Sequence, residues 1–208
     1  MPRTIEKPME APGKPAATER DDAALVRLAR TGDAGREDAA LALHDRYKDE
    51  VFSFLVRLLG ERELAEDISQ ESFFRLYRSL DRFDPERPFR PWLHQIVRNA
   101  ALDALRARRK EKQMLANAAA PEKQHGSGVL GQLSKGEDAR DARTALDALP
   151  EETRALLLQR HGLGMKLDEL AASWSCTERT VRNRLHAAAS ELARALRELR
   201  ANRTGGRS

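Results

Sequence analysis

From about Asp21 to Lys112, and again from 141 to 200, apolar residues recur three and four positions apart. That is the period of an amphipathic helix, and it leaves no stretch alternating as a half-buried strand would. "DAALVRLAR", "EDAALALHDRYKDEVFSFLVRLLG", "ELAEDISQESFFRLYRSL" and "RPWLHQIVRNAALDALRARRK" follow one another, punctuated by Gly32, Gly35, Gly60 and the pair Pro85 and Pro88. Glycine and proline at such points separate helices. Nine of the ten Phe, Tyr and Trp residues lie between Tyr47 and Trp92, so this segment is expected to own a core by itself. The chain is expected to be all-α. Two small helical domains, an N-terminal helical bundle and a C-terminal helix-turn-helix, would be joined by a flexible linker.

Composition places the boundaries. Residues 1–20 hold four of the nine prolines and no aromatic residue, and read as a disordered tail. Residues 21–112 form the first domain. Residues 113–140 contain four glycines and a proline and read as a flexible linker, about 30 Å long as a coil and about 90 Å if stretched. Residues 141–200 form the second domain, with Pro150, Gly162 and Gly164 between its helices, and 201–208 are a tail. Cys176 is the only cysteine, which excludes a disulfide framework and fits a reducing, cytoplasmic setting. The N-terminal stretch has no signal-peptide core, and no run of about 18 apolar residues occurs.

Enzyme chemistry finds no support. The histidines, His44, His94, His125, His161 and His186, are dispersed, and no two share metal-ligand spacing on one helix. There is no phosphate-cradling glycine loop and no nucleophile beside a base. No catalytic residue, metal, cofactor or small-molecule substrate is expected.

In the second domain, "LDELAASW", a short break at "SC" and "TERTVRNRLHAA" have the shape of a helix-turn-helix. Leu167, Leu170, Ala171 and Trp174 can pack inward from its first helix, and Val181, Leu185 and Ala188 from its second. Arg179, Arg182, Asn183, Arg184 and His186 then face outward. Arginine suits guanine edges or phosphate and asparagine suits adenine, although spacing alone also allows a solvated face. Thr177 can cap the second helix, with Ser175 and Glu178 as a competing capping box.

In the first domain, the basic helix 92–112 puts Asn99, Asp103 and Arg106 on one face and Leu93, Val97, Ala101 and Leu105 on another. The loop "DRFDPERPFRPW" before it sets Phe83, Phe89 and Trp92 beside arginines. That combination can hold an unstacked base or simply build core. Upstream, Asp67, Gln70, Glu71 and Phe74 fall at i, i+3, i+4 and i+7, an acidic face with an aromatic edge. Such a face suits a basic protein partner, or plain solvent.

Taken together, "RYKDEVFSFLVRLLGERELAEDISQESFFRLYRSLDRF", "FRPWLHQIVRNAALDALRARRK" and "ALDALPEETRALLLQRHGLGMKLDELAA" with "TVRNRLHAA" closely resemble the extracytoplasmic-function (ECF) sigma factors of the bacterial sigma-70 family. The resemblance implies a partner and a role for each face. Asp67, Gln70, Glu71 and Phe74 would dock on core RNA polymerase. Arg90, Trp92, Arg98, Asn99, Asp103, Arg106 and Arg109 would engage the proximal promoter element and help melt it. Arg179, Arg182, Asn183, Arg184 and His186 would read the distal promoter DNA. It also implies restraint by an anti-sigma factor, which in this family is often membrane-bound.

The chain departs from the family pattern at several places. Ser175 stands where glycine is usual at the turn, and is expected to bear strain. Cys176 replaces an aliphatic residue, Lys166 a capping serine, and Ser69 a branched apolar residue. "AAAS" after His186 replaces a basic pair, which would remove phosphate contacts and flatten the salt dependence of binding. The rival reading is a helix-turn-helix regulator that never joins polymerase. It leaves the aromatic-rich first domain without a task.

Overall fold

The computed structural model describes residues 22–30, 35–118 and 137–205. The expected N-terminal tail, residues 119–136 of the expected linker and the last three residues lie outside them. Among the described residues the regular elements are all helical. They are α1 (Asp22–Arg30), α2 (Arg36–Leu59), α3 (Arg62–Ser79), a 3-10 turn (Leu80–Arg82), α4 (Phe89–Ala118), α5 (Glu137–Asp147), α6 (Glu151–Leu157), a π-helical turn (Leu158–Gly162), α7 (Leu167–Ser173) and α8 (Glu178–Gly205).

The N-terminal unit is α1 to α4. Helix α2 carries Glu37 and Asp38 in its first turn and Arg57 in its last, which suits the helix dipole at both ends. It stops at Gly60, whose φ of 75° lets its N–H reach the Val56 carbonyl at 3.0 Å, an αL cap that glycine adopts without strain. Leu25, Leu43, Phe54, Leu58, Leu76, Leu93 and Val97 are all buried. The Asp22 carboxylate ties α1 to α2 by accepting from Arg46 and the Tyr47 hydroxyl. Helix α4 continues past Lys112 to Ala118, because "QMLANA" contains good helix formers and meets no breaker before Pro121.

The C-terminal unit is α5 to α8, with smaller cores around Met165, Leu170 and Val181 and around Leu149, Leu157 and Ala188. The main core does not end at the boundary between the units. Ala155 and Leu158 belong to it, and Leu146, Leu163 and Trp174 pack against it. This corrects the expectation that one core belongs to the first segment alone. Aromatic clustering could not reveal the extension, because Ala and Leu supply most of it from helices that also have cores of their own.

The helix-turn-helix forms as expected, with α7 and α8 as its two helices. Cys176 N–H donates to the Ala171 carbonyl at 3.0 Å, and Thr177 rather than Ser175 caps α8, its Oγ1 accepting from Thr180 N–H at 3.2 Å. Cys176 is partly buried against the Met165, Leu170 and Val181 core. Ser175 sits at φ 49°, the left-handed conformation for which glycine is suited. Ser175→Gly is therefore expected to raise stability by about 0.5–1 kcal/mol, seen as a higher urea midpoint. The gain is capped because the Ser175 hydroxyl accepts from Gln95 Nε2 at 3.2 Å.

Candidate nucleic-acid and protein interfaces

Three surfaces hold the residues singled out by the sequence. On α3, Asp67, Gln70, Glu71 and Phe74 line one shallow depression of about 400 Å³. The side opposite packs inward through Ala65, Ser72, Phe73 and Leu76. Phe74 is 56% exposed, and the Arg78 guanidinium lies 5.5 Å from its ring centre. Glu71 accepts from Arg75 Nε at 2.7 Å, one turn on. Ser69, the departure under this face, is partly buried.

On α4 and the loop before it, the aromatic residues pack together. Trp92 stacks on Phe83 with ring centres 4.2 Å apart, and Phe89 meets both edge-on. Phe83 and Phe89 are buried, while Trp92 keeps part of its indole in solvent. Arg90 is tied on several sides. Its Nε donates to Glu50 at 2.8 Å, Nη1 to Glu169 at 3.3 Å and Nη2 to the Leu163 carbonyl at 2.7 Å.

Further along α4 the expected DNA face meets the C-terminal unit. Arg98 is buried, with Nη1 donating to the Ser173 carbonyl at 2.9 Å, Nη2 to Asn99 Oδ1 at 2.9 Å, and its guanidinium 4.1 Å from the Trp174 ring centre. Burial pushes this guanidinium down to about 10, so it stays protonated at neutral pH. Arg106 bridges Asp103 at 3.1 Å and Glu152 at 3.2 Å, and Arg109 pairs with Glu151 at 2.6 Å. A cavity of about 410 Å³ opens here, walled by Arg98, Asn99, Asp103 and Arg106 with Glu152, Trp174 and Arg184 opposite.

Sequence reasoning missed the partners across this seam. Glu151 and Glu152 read only as the acidic first turn of a helix after Pro150, which is what the dipole favours. Gln159, fully buried on the π turn, donates to the His94 carbonyl at 3.4 Å and accepts from Trp174 Nε1 at 2.7 Å. Its place directly after the apolar run "ALLL" was its one signal.

On α8 the first turns present Arg179, Arg182, Asn183, Arg184 and His186, all exposed, above buried Val181 and Ala188. Arg182 is held along the helix by Glu178 at 2.7 Å. Arg184 leans toward the seam, 5.8 Å from the Trp174 ring centre.

Two family models match these same units. Residues 43–111 match sigma-70 region 2, and residues 139–199 match sigma-70 region 4. The ECF RNA polymerase sigma factor SigW of Bacillus subtilis is 30% identical over 176 residues, covering 79% of this chain and 92% of SigW. The chain is an ECF sigma factor of the sigma-70 family. Its fold is shared with solved sigma factors. CnrH in complex with the cytosolic domain of CnrY has a TM-score of 0.62 at 24% identity, covering 85% of this chain and 97% of CnrH. RpoE of Bartonella quintana, in complex with the anti-sigma factor NepR, has a TM-score of 0.57 at 21% identity, covering 74% of this chain and 98% of RpoE.

Proposed function

We propose that this sigma factor joins core RNA polymerase through α3 and directs it to promoters with two separate DNA elements. Asp67, Gln70, Glu71 and Phe74 form the polymerase contact. Trp92, Arg98, Asn99, Asp103, Arg106 and Arg109 engage and open the proximal element, with Arg90 anchoring the first turn of α4, which carries Trp92. Arg179, Arg182, Asn183, Arg184 and His186 read the distal one. The observation that carries this reading is the match of both units, in order, to sigma-70 regions 2 and 4. A free helix-turn-helix regulator would use only the second.

Melting needs no covalent chemistry from the chain. Capturing unstacked bases on aromatic and arginine surfaces is worth about 1–3 kcal/mol each, comparable with the stacking they lose. An anti-sigma factor, as in the RpoE–NepR complex, would cover one of these faces. Among the described residues no helix is long and apolar enough to cross a membrane, and work on core RNA polymerase supports a cytoplasmic setting.

Core RNA polymerase with and without the purified chain, given fragmented genomic DNA of the source organism, tests the reading. Transcripts made only in its presence, starting downstream of two shared sequence boxes, are the expected result. Failure of the folded chain to change the start sites would return it to the class of free DNA-binding regulators.

A further inference from the structure

We propose that the cavity between α4 and the C-terminal unit is a binding site for a small organic phosphate that also carries hydroxyl groups, a sugar phosphate or a mononucleotide. The site goes beyond promoter recognition and needs only that the helices around it stand as the structure has them.

Charge is spread unevenly along this cavity. At one end Arg98 and Arg184 both approach the Trp174 ring, their guanidinium carbons 4.1 Å and 5.8 Å from its centre. Among the described residues neither is paired with a carboxylate, and Arg98 donates instead to the Ser173 carbonyl and Asn99 Oδ1. Arg98 is only 6% exposed, and a charge buried to that degree is ordinarily paired. Burial works against its charged form, and the neighbouring Arg184 adds to the effect. Because Asn99 Oδ1 is engaged by Arg98, its Nδ2 is left as a further donor on the cavity wall. Two guanidinia and an amide suit a phosphate group, which brings three acceptor oxygens and about −1.5 to −2 charges.

The other end has the opposite character. Arg106 holds one oxygen of Asp103 at 3.1 Å and one of Glu152 at 3.2 Å. The second oxygen of each carboxylate is an acceptor for hydroxyl or amino protons, and the pair repels a second anionic group. A fitting ligand is therefore anionic at one end and rich in donors at the other. The cavity, about 410 Å³, lies in the range of small-molecule sites, about 300–1,000 Å³, and leaves room for a sugar beyond the phosphate. Its wall is preformed, since Trp174 Nε1 donates to the buried Gln159 side chain at 2.7 Å. Arg98, Asn99 and Arg184 also serve in the proposed promoter contacts, so ligand and DNA compete for them, but binding of the ligand alone does not depend on that reading.

Equilibrium dialysis of the full chain against inorganic phosphate, ribose phosphate and guanosine monophosphate, at constant ionic strength, tests the site. The organic phosphates are expected to bind more tightly than inorganic phosphate. Arg184→Gln is expected to weaken them about tenfold or more, the loss that follows when a charged hydrogen-bond partner is removed. Arg184 is exposed, so its replacement does not disturb the core. Arg194→Gln removes an exposed guanidinium elsewhere on α8 and is expected to bind as the wild type does. Asn99→Asp, also at an exposed position, sets a carboxylate beside the phosphate and is expected to abolish binding. Equal affinity for the two organic phosphates assigns the site to sugar phosphates, and tighter binding of guanosine monophosphate assigns it to mononucleotides. Absence of binding, equal losses in Arg184→Gln and Arg194→Gln, or inorganic phosphate bound as tightly as the organic ones overturns the site. Those outcomes leave the polymerase and promoter readings intact, because the transcription experiment decides them separately.

Discussion

Replacing Glu50 by alanine is expected to lower the unfolding free energy by about 3 kcal/mol, the size of loss seen when one partner of a buried charged pair is removed. One carboxylate oxygen of Glu50 accepts from both Arg90 Nε at 2.8 Å and His94 Nε2 at 2.6 Å. His94 is fully buried, and the Arg90 side chain is only 24% exposed. Alanine would leave both donors without the carboxylate oxygen they share. The pH dependence gives the cause. Burial works to raise the Glu50 carboxyl, but hydrogen bonds from His94 and Arg90 outweigh it and hold it below its ordinary 4.5. A depressed acid contributes stability above its unfolded value and loses it as pH falls through the folded one. The gap between wild type and Glu50→Gln in urea titrations should therefore be complete at neutral pH and close below 4.5. A gap of constant size down to the acid limit would assign the loss to packing instead.

Glu50 also shows where sequence reasoning stops. It sits in "RYKDEVF", where it reads as one more surface carboxylate among charged neighbours. Only the crossing of α2 and α4 brings it to Arg90 and His94, and no local period announces a partner forty residues away. What the sequence does announce is everything set by a helix's own repeat. The α3 face survives intact because i, i+3, i+4 and i+7 fix it within a single helix, and the outward arginines of α8 follow from Val181, Leu185 and Ala188 in the same way. The strain at Ser175 was legible only through the family resemblance, whose usual glycine marks a left-handed turn position.

The α4 face lies between these cases. Its periodicity separates Leu93, Val97, Ala101 and Leu105 from Asn99, Asp103 and Arg106, but it gives no sign of the seam that the structure has there. A polar face can be covered by other polar groups without altering its pattern, as Arg98 is by the Ser173 carbonyl. Hydrophobic periodicity reports which side of a helix meets apolar matter. It is silent about carboxylates and carbonyls brought in by a distant segment, and so silent about a closed arrangement whose visible surface is made of ion pairs.

Double charge reversal at Asp67 and Glu71 is expected to abolish co-elution with core RNA polymerase in gel filtration, an affinity loss of about 2–4 kcal/mol or roughly 30- to 1,000-fold. Phe74→Ala should cost about 2 kcal/mol by removing the aromatic anchor at the edge of the same depression. Neither change threatens the fold. Asp67 and Phe74 are exposed, and the one partner of Glu71 in this face is Arg75 on the same helix. Lysine at 71 would face Arg75 one turn away, a repulsion of only a few tenths of a kcal/mol, so urea midpoints should barely move. The wild-type complex should weaken as salt rises, because exposed charges are screened within about 8–10 Å at physiological ionic strength. The Phe74→Ala complex should keep that salt dependence while binding more weakly throughout. A reversed pair that still co-elutes would move the polymerase contact off α3, and the exposed ring of Phe74 would then need another partner to cover it.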